Sequence, residues 1–407
     1  MQSLLFLAHR LPYPPNKGDK VRSCHFLKHL AGRYRVFLGA FIDDPADGQH
    51  VESVRRLCAG THLETIAPWP RRARSATALL RGEPLTLPYF RSRALQQWVR
   101  RVVREERVSH ALAYSSPMAQ YVLDLPLRSI VDFVDMDSAK WGEYAARRGW
   151  PARALYRREA RRLLAYEKAV AARAQTSIFV TEEETQRFIA EAPQCAGRVV
   201  TIRNGVDSDY FSPTGSWANP FQPGERPIVF TGAMDYWPNV DAVVWFAREV
   251  LPLLRRRDPA VRFYVVGMNP DGAVRALASD AAIVVTSRVP DVRPYLRHAR
   301  VVVAPLRVAR GIQNKVLEAM AMGKAVVTTP ACAAAIAARA GKELAIASDA
   351  ESFACEVRAL MDPVAAGRMG GFARERVLAS YGWPASFARL EQLLAQPQAA
   401  AVQAVAG

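Results

Sequence analysis

The residues best equipped for chemistry in this chain lie in one short stretch, Arg310-Gly311-Ile312-Gln313-Asn314-Lys315-Val316-Leu317-Glu318. An apolar run from Val301 to Pro305 precedes it, and a second from Ala325 to Thr328 follows it. Both read as strands, with a basic, glycine-containing loop and a short helix ending at Gly323 between them. A loop that feeds a helix N-terminus is a ready anion site, because free backbone N–H groups and the helix dipole both face the ligand. Arg310 and Lys315 put two cations at that mouth, and Glu318 puts a carboxylate one helical turn further in. This arrangement suits a ligand with phosphates at one end and hydroxyls at the other, such as a sugar nucleotide.

Three further loops could assist. Thr231-Gly232-Ala233 follows the first strand of the second half; Gly232 would let the backbone approach a ligand closely, and Asn239 could cap the next helix. In the first half, Asn16-Lys17-Gly18-Asp19-Lys20 occupies the corresponding place. Asp135-Met136-Asp137 follows a strand end. A DxD pair can hold a divalent cation beside a diphosphate, but no further carboxylates complete an oxygen cage here, so helix capping or an acceptor-facing role is favoured. The seven histidines and five cysteines show no metal spacing, and the chain has neither a P-loop nor a nucleophile elbow.

The elements that must position these loops alternate. Strand-like segments at Leu4–His9, Tyr34–Ile42, His62–Ala67, His110–Tyr114, Ser129–Val134, Ser177–Thr181 and Val199–Ile202 are separated by helical stretches. Among these is a long basic helix over 151–174. The alternation restarts at Pro227–Thr231 and runs to Ala325–Thr328. Two α/β, doubly wound parallel sheets follow from this pattern. The 407 residues are too many for one ordinary core, and two domains are expected: 1–205 and 227–382, joined by a Pro/Gly/Ser/Asn-rich linker over 206–226. A helical tail ends in a frayed 397–407.

The net charge is +17, concentrated in Arg71-Arg72-Ala73-Arg74 and along the 151–174 helix, where Trp150, Tyr156 and Tyr166 interleave. Such a face fits an anionic membrane surface as well as plain solvation. No nucleic-acid motif accompanies it, and nucleic acid is not an expected partner. The scattered cysteines, the lack of a basic-then-apolar leader and the lack of a long apolar run point to the cytoplasm, with the inner membrane face as a peripheral location.

On Arg310–Val327, Phe230-Thr231-Gly232 and the turn Ile202-Arg203-Asn204-Gly205-Val206-Asp207, the chain resembles the GT-B glycosyltransferases of family 4. On Leu11–Lys20, Asp132–Trp141 and Thr231–Trp237 it resembles, more narrowly, the sugar transferases associated with bacterial exosortase/PEP-CTERM exopolysaccharide clusters. The likeness spans nearly the whole chain. It implies two Rossmann-like domains facing each other across a cleft, with a final helix near 383–396 crossing back to the first domain. It implies transfer of a hexosyl unit from a UDP- or GDP-linked sugar to a growing, lipid-linked exopolysaccharide glycan, with retained configuration, no metal and no separate cofactor. The donor would meet Gly232, Gly311, Ile312, Gln313 and Asn314, with Glu318 on the ribose hydroxyls. The acceptor side would use Asn16, Lys17, Gly18, Lys20 and Asp135.

The chain departs from the family pattern in one place. The family carries two glutamates separated by seven residues; the second is Glu318, but the first position holds Arg310. The Gly232–Asn239 loop also lacks the Arg and Lys that many relatives carry. Arg310 and Lys315 are therefore expected to supply the diphosphate's counter-charge from the other side of the pocket, since an arginine can grip a phosphate with two bonds. Asp137 and Asp19 are the candidates for a catalytic base. Two alternatives stand beside this: a sugar-nucleotide epimerase on the same fold, and a non-catalytic membrane-associated subunit of a polysaccharide complex.

Overall fold

The computed structural model describes residues 1–15, 18–146, 148–309 and 311–396, without the side chains of Asp19, Pro68, Arg72 and Leu80. The chain divides into two compact units: Met1–Arg203 with the segment from Ser386 on, and Asn204–Ala385.

The first unit is built on seven parallel strands: β1 (Ser3–Ala8), β2 (Arg35–Ile42), β3 (Gly60–Thr65), β4 (His110–Tyr114), β5 (Arg128–Val134), β6 (Thr176–Phe179) and β7 (Val199–Thr201). Their order is β3-β2-β1-β4-β5-β6-β7. The central strands are apolar almost throughout because helices cover both faces; Leu4 to Ala8 and Ala111 to Tyr114 are buried. The second unit repeats the plan with β8 (Arg226–Thr231), β9 (Val261–Val266), β10 (Ile283–Val285), β11 (Val301–Ala304), β12 (Val326–Thr328) and β13 (Ala345–Ile346). Their order is β10-β9-β8-β11-β12-β13. In both sheets the winding reverses beside the first strand, between β1 and β4 and between β8 and β11. Ligands of open α/β sheets bind outside the C-terminal strand ends at such a reversal.

Several boundaries differ from the sequence pattern. After β8 the chain runs as a helix at Trp237–Trp245, a widened π turn at Phe246–Val250 and a further turn at Leu251–Arg255. The stretch holding the Arg71–Arg74 cluster forms a helix, Pro68–Arg81.

Charge is used inside the first unit as well as on it. Arg22, on the Gly18–Ala31 helix, donates to Asp132 of β5 at 2.7 Å, with both side chains fully buried. Lys20, two residues earlier, is buried against Asp47. On the Ala152–Arg173 helix the inward stripe contains two buried glutamates, Glu159 and Glu167, beside Leu163, Val170 and Ala171. Glu159 accepts from the backbone N–H groups of Leu85 and Thr86 at 2.7 and 3.2 Å. Glu167 accepts from the N–H and hydroxyl of Ser138, at the start of the Asp137–Ala146 helix. These carboxylates satisfy helix-end donors that would otherwise be buried without partners.

The same helix corrects the picture of a basic face with three aromatic anchors. Tyr156 packs edge-on against Trp141 at 5.0 Å, and the Tyr166 hydroxyl donates to the Ser116 carbonyl, so both serve the interior. Trp150 alone stands out, 85% exposed.

Asp132 is a fully buried partner of the Arg22 guanidinium, and breaking a buried ion pair from one side typically costs about 3–5 kcal/mol. Asp132→Ala is therefore expected to lower the denaturation midpoint strongly in chemical unfolding; an unchanged midpoint would contradict the buried pair. Burial, with Asp137 adding to it, pushes the Glu167 carboxyl up to about 8 from 4.5. Between those values the folded state holds a proton that the unfolded state releases, so this group's contribution to stability falls as pH rises from about 4.5 to 8. Glu167→Gln should flatten the stability profile across that window.

Candidate functional site

The second unit's reversal point carries most of the residues singled out for donor binding. β8 ends at Thr231 and passes into Gly232; β11 ends at Ala304 and passes through a loop into the Asn314–Ala321 helix. The chain turns sharply here because glycines let backbones cross. A Cβ on Gly267, just past β9, would lie 1.6 Å from the Gly232 carbonyl oxygen. Gly232 is held from the same side, its N–H donating to the Val266 carbonyl at 3.0 Å.

Lys315 sits over this floor. Its ammonium donates to Asn239 Oδ1 at 2.6 Å and lies 4.2 Å from the centre of the Phe230 ring. A Cβ on Gly232 would come within 2.8 Å of the ammonium. Asn239 is oriented by its own amide N–H, which donates to the Ala233 carbonyl at 2.8 Å, leaving the amide oxygen for Lys315. Asn239 therefore holds the cation, where the sequence suggested a helix cap. Burial pulls the Lys315 ammonium down to about 8, with Cys332 and Glu318 opposing. Glu318, one turn along, is pushed up to about 7 by burial, with Lys315 opposing. Neither forms a salt bridge with a described residue.

The residue at the helix N-cap, Gln313, makes no side-chain cap hydrogen bond, so the N-terminal N–H groups lack that usual partner. Two buried polar atoms at the site, Thr231 Oγ1 and Asn314 Oδ1, have no hydrogen-bond partner among the described residues. An orphaned buried polar atom usually costs about 1–3 kcal/mol, and a bound polar ligand removes that cost. Ile312 is buried and Gly311, Gln313 and Asn314 are half-buried around it. Arg310, expected beside Lys315, lies outside the described residues.

On the Glu318 side stands a group that the sequence did not single out. Arg293 is gripped by Asp291 at 2.7–3.0 Å and stacks 3.7 Å over the Tyr210 ring. Burial, then Asp291 and further carboxylates including Glu318, raise the Tyr210 hydroxyl's pKa. Tyr210 falls in the expected linker, where composition hid it. Asp291 and Arg293 follow β10 at the strand's C-terminal end, and their position was the only available signal.

The first-unit candidates are less open. Asp135 and Asp137 both bind Lys140, at 2.9 and 3.2 Å, so their charge is already compensated. Lys20 is buried with Asp47 and holds the fold together instead of lining an exposed loop. Gly18 begins a helix. Asn16 and Lys17 lie outside the described residues, as does the side chain of Asp19. At this unit's own reversal point, the His9 ring stacks on Tyr114 at 5.8 Å and Arg10 pairs with Asp43 at 2.8 Å. His9 follows directly on β1, a position that its lack of metal spacing concealed. Among the described residues no group of three or more His, Cys, Asp or Glu side chains is placed to hold a metal ion.

With this geometry in place, comparison with known proteins is informative. Residues 225–363, which contain Gly232, Asn239, Arg293 and the Asn314–Ala321 helix, match the family model described as "Glycosyl transferases group 1". Sucrose-phosphate synthase from Thermosynechococcus elongatus superposes with a TM-score of 0.71 at 18% identity, over 97% of this chain and 98% of that one. HepE of Anabaena, solved in complex with UDP-glucose, gives 0.68 at 13% identity, over 97% and 99%. WaaG, a glycosyltransferase involved in lipopolysaccharide biosynthesis, gives 0.68 at 14% identity, over 97% and 100%. No curated protein matches the sequence. The fold is the GT-B fold of glycosyltransferases.

Two expectations follow. A diphosphate held by Lys315 needs the charged ammonium, so nucleoside-diphosphate affinity should weaken as pH rises through about 8, and Lys315→Met should bind weakly with no such step. Calorimetric titration with UDP between pH 7 and 9.5 checks this; the same step in the variant would exclude Lys315. A Cβ on Gly232 would meet the Lys315 ammonium at 2.8 Å and the Asn239 amide nitrogen at 2.9 Å, both side-chain ends, so Gly232→Ala should weaken nucleotide binding with a smaller loss of stability than Gly267→Ala. Gly267→Ala meets backbone and should lower the melting temperature severely; thermal unfolding distinguishes the two.

Proposed function

We propose that this protein is a glycosyltransferase that moves a hexosyl unit from a UDP- or GDP-linked sugar to a growing, lipid-linked exopolysaccharide glycan, with retained configuration and without a metal. Its closer affiliation in this proposal is with family 4 and the PEP-CTERM/exosortase-associated transferases. The observation that carries the reading is Lys315. A partly desolvated ammonium, with no carboxylate partner among the described residues, lies over a glycine floor at the mouth of an uncapped helix. The group 1 match over 225–363 supports it, as does the UDP-glucose bound in the HepE structure.

Breaking the anomeric bond leaves negative charge on the departing diphosphate. Lys315, the helix N-terminus and Arg310 meet that charge in a water-poor setting where fixed donors need little reorganisation. Their positive charge does what a divalent cation does in metal-dependent transferases. Glu318 accepts hydrogen bonds from the ribose hydroxyls; burial raises its pKa, and a pair of hydroxyl donors to the carboxylate would offset that. Asn239 acts through Lys315 and is a positioning residue.

The acceptor's side belongs to the first unit, with Asp135, Asp137 and Asp19 nearest the strand ends in sequence. Lipid linkage places the enzyme at an anionic inner membrane face, through the cations of the Ala152–Arg173 helix and exposed Trp150. Among the described residues no helix is long and apolar enough to cross a membrane.

Losing one preorganised donor of this kind typically costs about 2.7–4 kcal/mol in the barrier. Lys315→Ala and Arg310→Ala are each expected to lower kcat by roughly 10²–10³ in a donor-consumption assay. Unchanged kcat in both would refute the assignment. Activity should survive EDTA, and donor turnover should rise when a glycan acceptor is added. Turnover independent of acceptor would favour an epimerase, and no thermal shift with UDP or GDP would favour a non-catalytic subunit.

A further inference from the structure

At the opposite end of the second unit's sheet lies a cavity of about 480 Å³ lined in part by Glu225, Arg226, Arg297, His298, Arg300 and Lys324. These residues sit at the N-terminal strand ends: Arg226 opens β8, Arg300 immediately precedes β11, and Lys324 lies just before β12. The six residues of β8 separate this cavity from Gly232 by roughly 20 Å. It cannot be part of the Lys315 site.

The charges in this cavity are not balanced by its walls. Arg226 is neutralised by Asp258 at 2.9 Å. Glu225 is occupied by the Tyr264 hydroxyl at 2.5 Å and the Gln222 N–H at 3.1 Å. Arg297, Arg300 and Lys324 form no ion pair with any described residue. Lys324 donates to the Arg297 carbonyl at 3.2 Å, which ties the start of β12 to the Arg293–His298 helix and fixes the ammonium beside like charges. Burial first, then repulsion from Arg297 and Arg300, pulls Lys324 down to about 8. Three cations crowded around one concavity are self-repelling, and the unfavourable term disappears when an anion binds between them. Two of them are arginines, whose planar forks suit phosphate oxygens.

We propose that this cavity is a second anion site, which binds a phosphate-bearing ligand at the face of the domain opposite the donor pocket. It holds whether or not the glycosyltransferase reading does, since none of its residues belongs to the donor site.

The test is calorimetric titration of the full chain with pyrophosphate at constant ionic strength. The wild type should show two classes of site. Lys315→Met should abolish one and leave the other. Adding Arg297→Ala and Arg300→Ala, both exposed and free of side-chain bonds to described residues, should weaken the remaining site at least tenfold while near-ultraviolet circular dichroism stays unchanged. Loss of all pyrophosphate binding in Lys315→Met alone would overturn the proposal, as would undiminished binding in the triple variant. Lys324→Met provides a second route, with the same expected loss. The source of the phosphate is read from competition in the Lys315→Met protein. Displacement of pyrophosphate by phosphatidylglycerol vesicles assigns the site to a lipid headgroup; displacement by glucose 6-phosphate and not by vesicles assigns it to a soluble phosphate ester.

Discussion

An ammonium group half-removed from water, with no carboxylate in ion-pair contact among the described residues, is an unstable arrangement unless something else fixes it. In this protein the Asn239 amide and the Phe230 ring do so, and both depend on Gly232 leaving room. The Gly232–Gly267 crossing brings two strand ends close enough to make the floor. Lys315 is thereby kept available: it is held by a neutral oxygen and a ring face, neither of which cancels its charge. A carboxylate in Asn239's place would have neutralised the cation and competed with any diphosphate.

The two units share a winding order, and both contain charge pairs, those of the second including Arg339 and Arg376 on the buried Glu343. In the first, cations and carboxylates are paired inside the fold: Arg22 with Asp132, Lys20 with Asp47, and Lys140 with Asp135 and Asp137. In the second, Lys315, Glu318, Arg297, Arg300 and Lys324 remain unpaired among described residues. Buried pairs of the first kind contribute little net stability but are costly to break, and they fix how a helix meets its sheet. Unpaired groups of the second kind are destabilising, a cost that a bound counter-charge would offset.

Alternating apolar runs and helical stretches were enough to expect two doubly wound sheets, because buried parallel strands are nearly continuous in apolar residues. The Lys315–Glu318 spacing was legible too, since a helix puts residues three apart on one face. What could not be read was anything that depends on contacts distant in sequence. Lys20 looked like a loop cation because its partner Asp47 is 27 residues away. Tyr156 and Tyr166 looked like surface anchors because the inward stripe of their helix includes glutamates, which pattern analysis assigns to solvent. Tyr210 was hidden in a stretch of linker composition, and its stacking partner Arg293 lies 83 residues further on.

The central claim is that the diphosphate of a nucleotide sugar rests between the Gly232 floor, Lys315 and the start of the Asn314–Ala321 helix. A crystal structure of the protein soaked with UDP or GDP measures this directly. The account predicts phosphate oxygens within hydrogen-bond distance of Lys315 Nζ and of the helix's first N–H groups, with the ribose hydroxyls on Glu318. A nucleotide bound elsewhere, or one whose phosphates avoid Lys315, would contradict it.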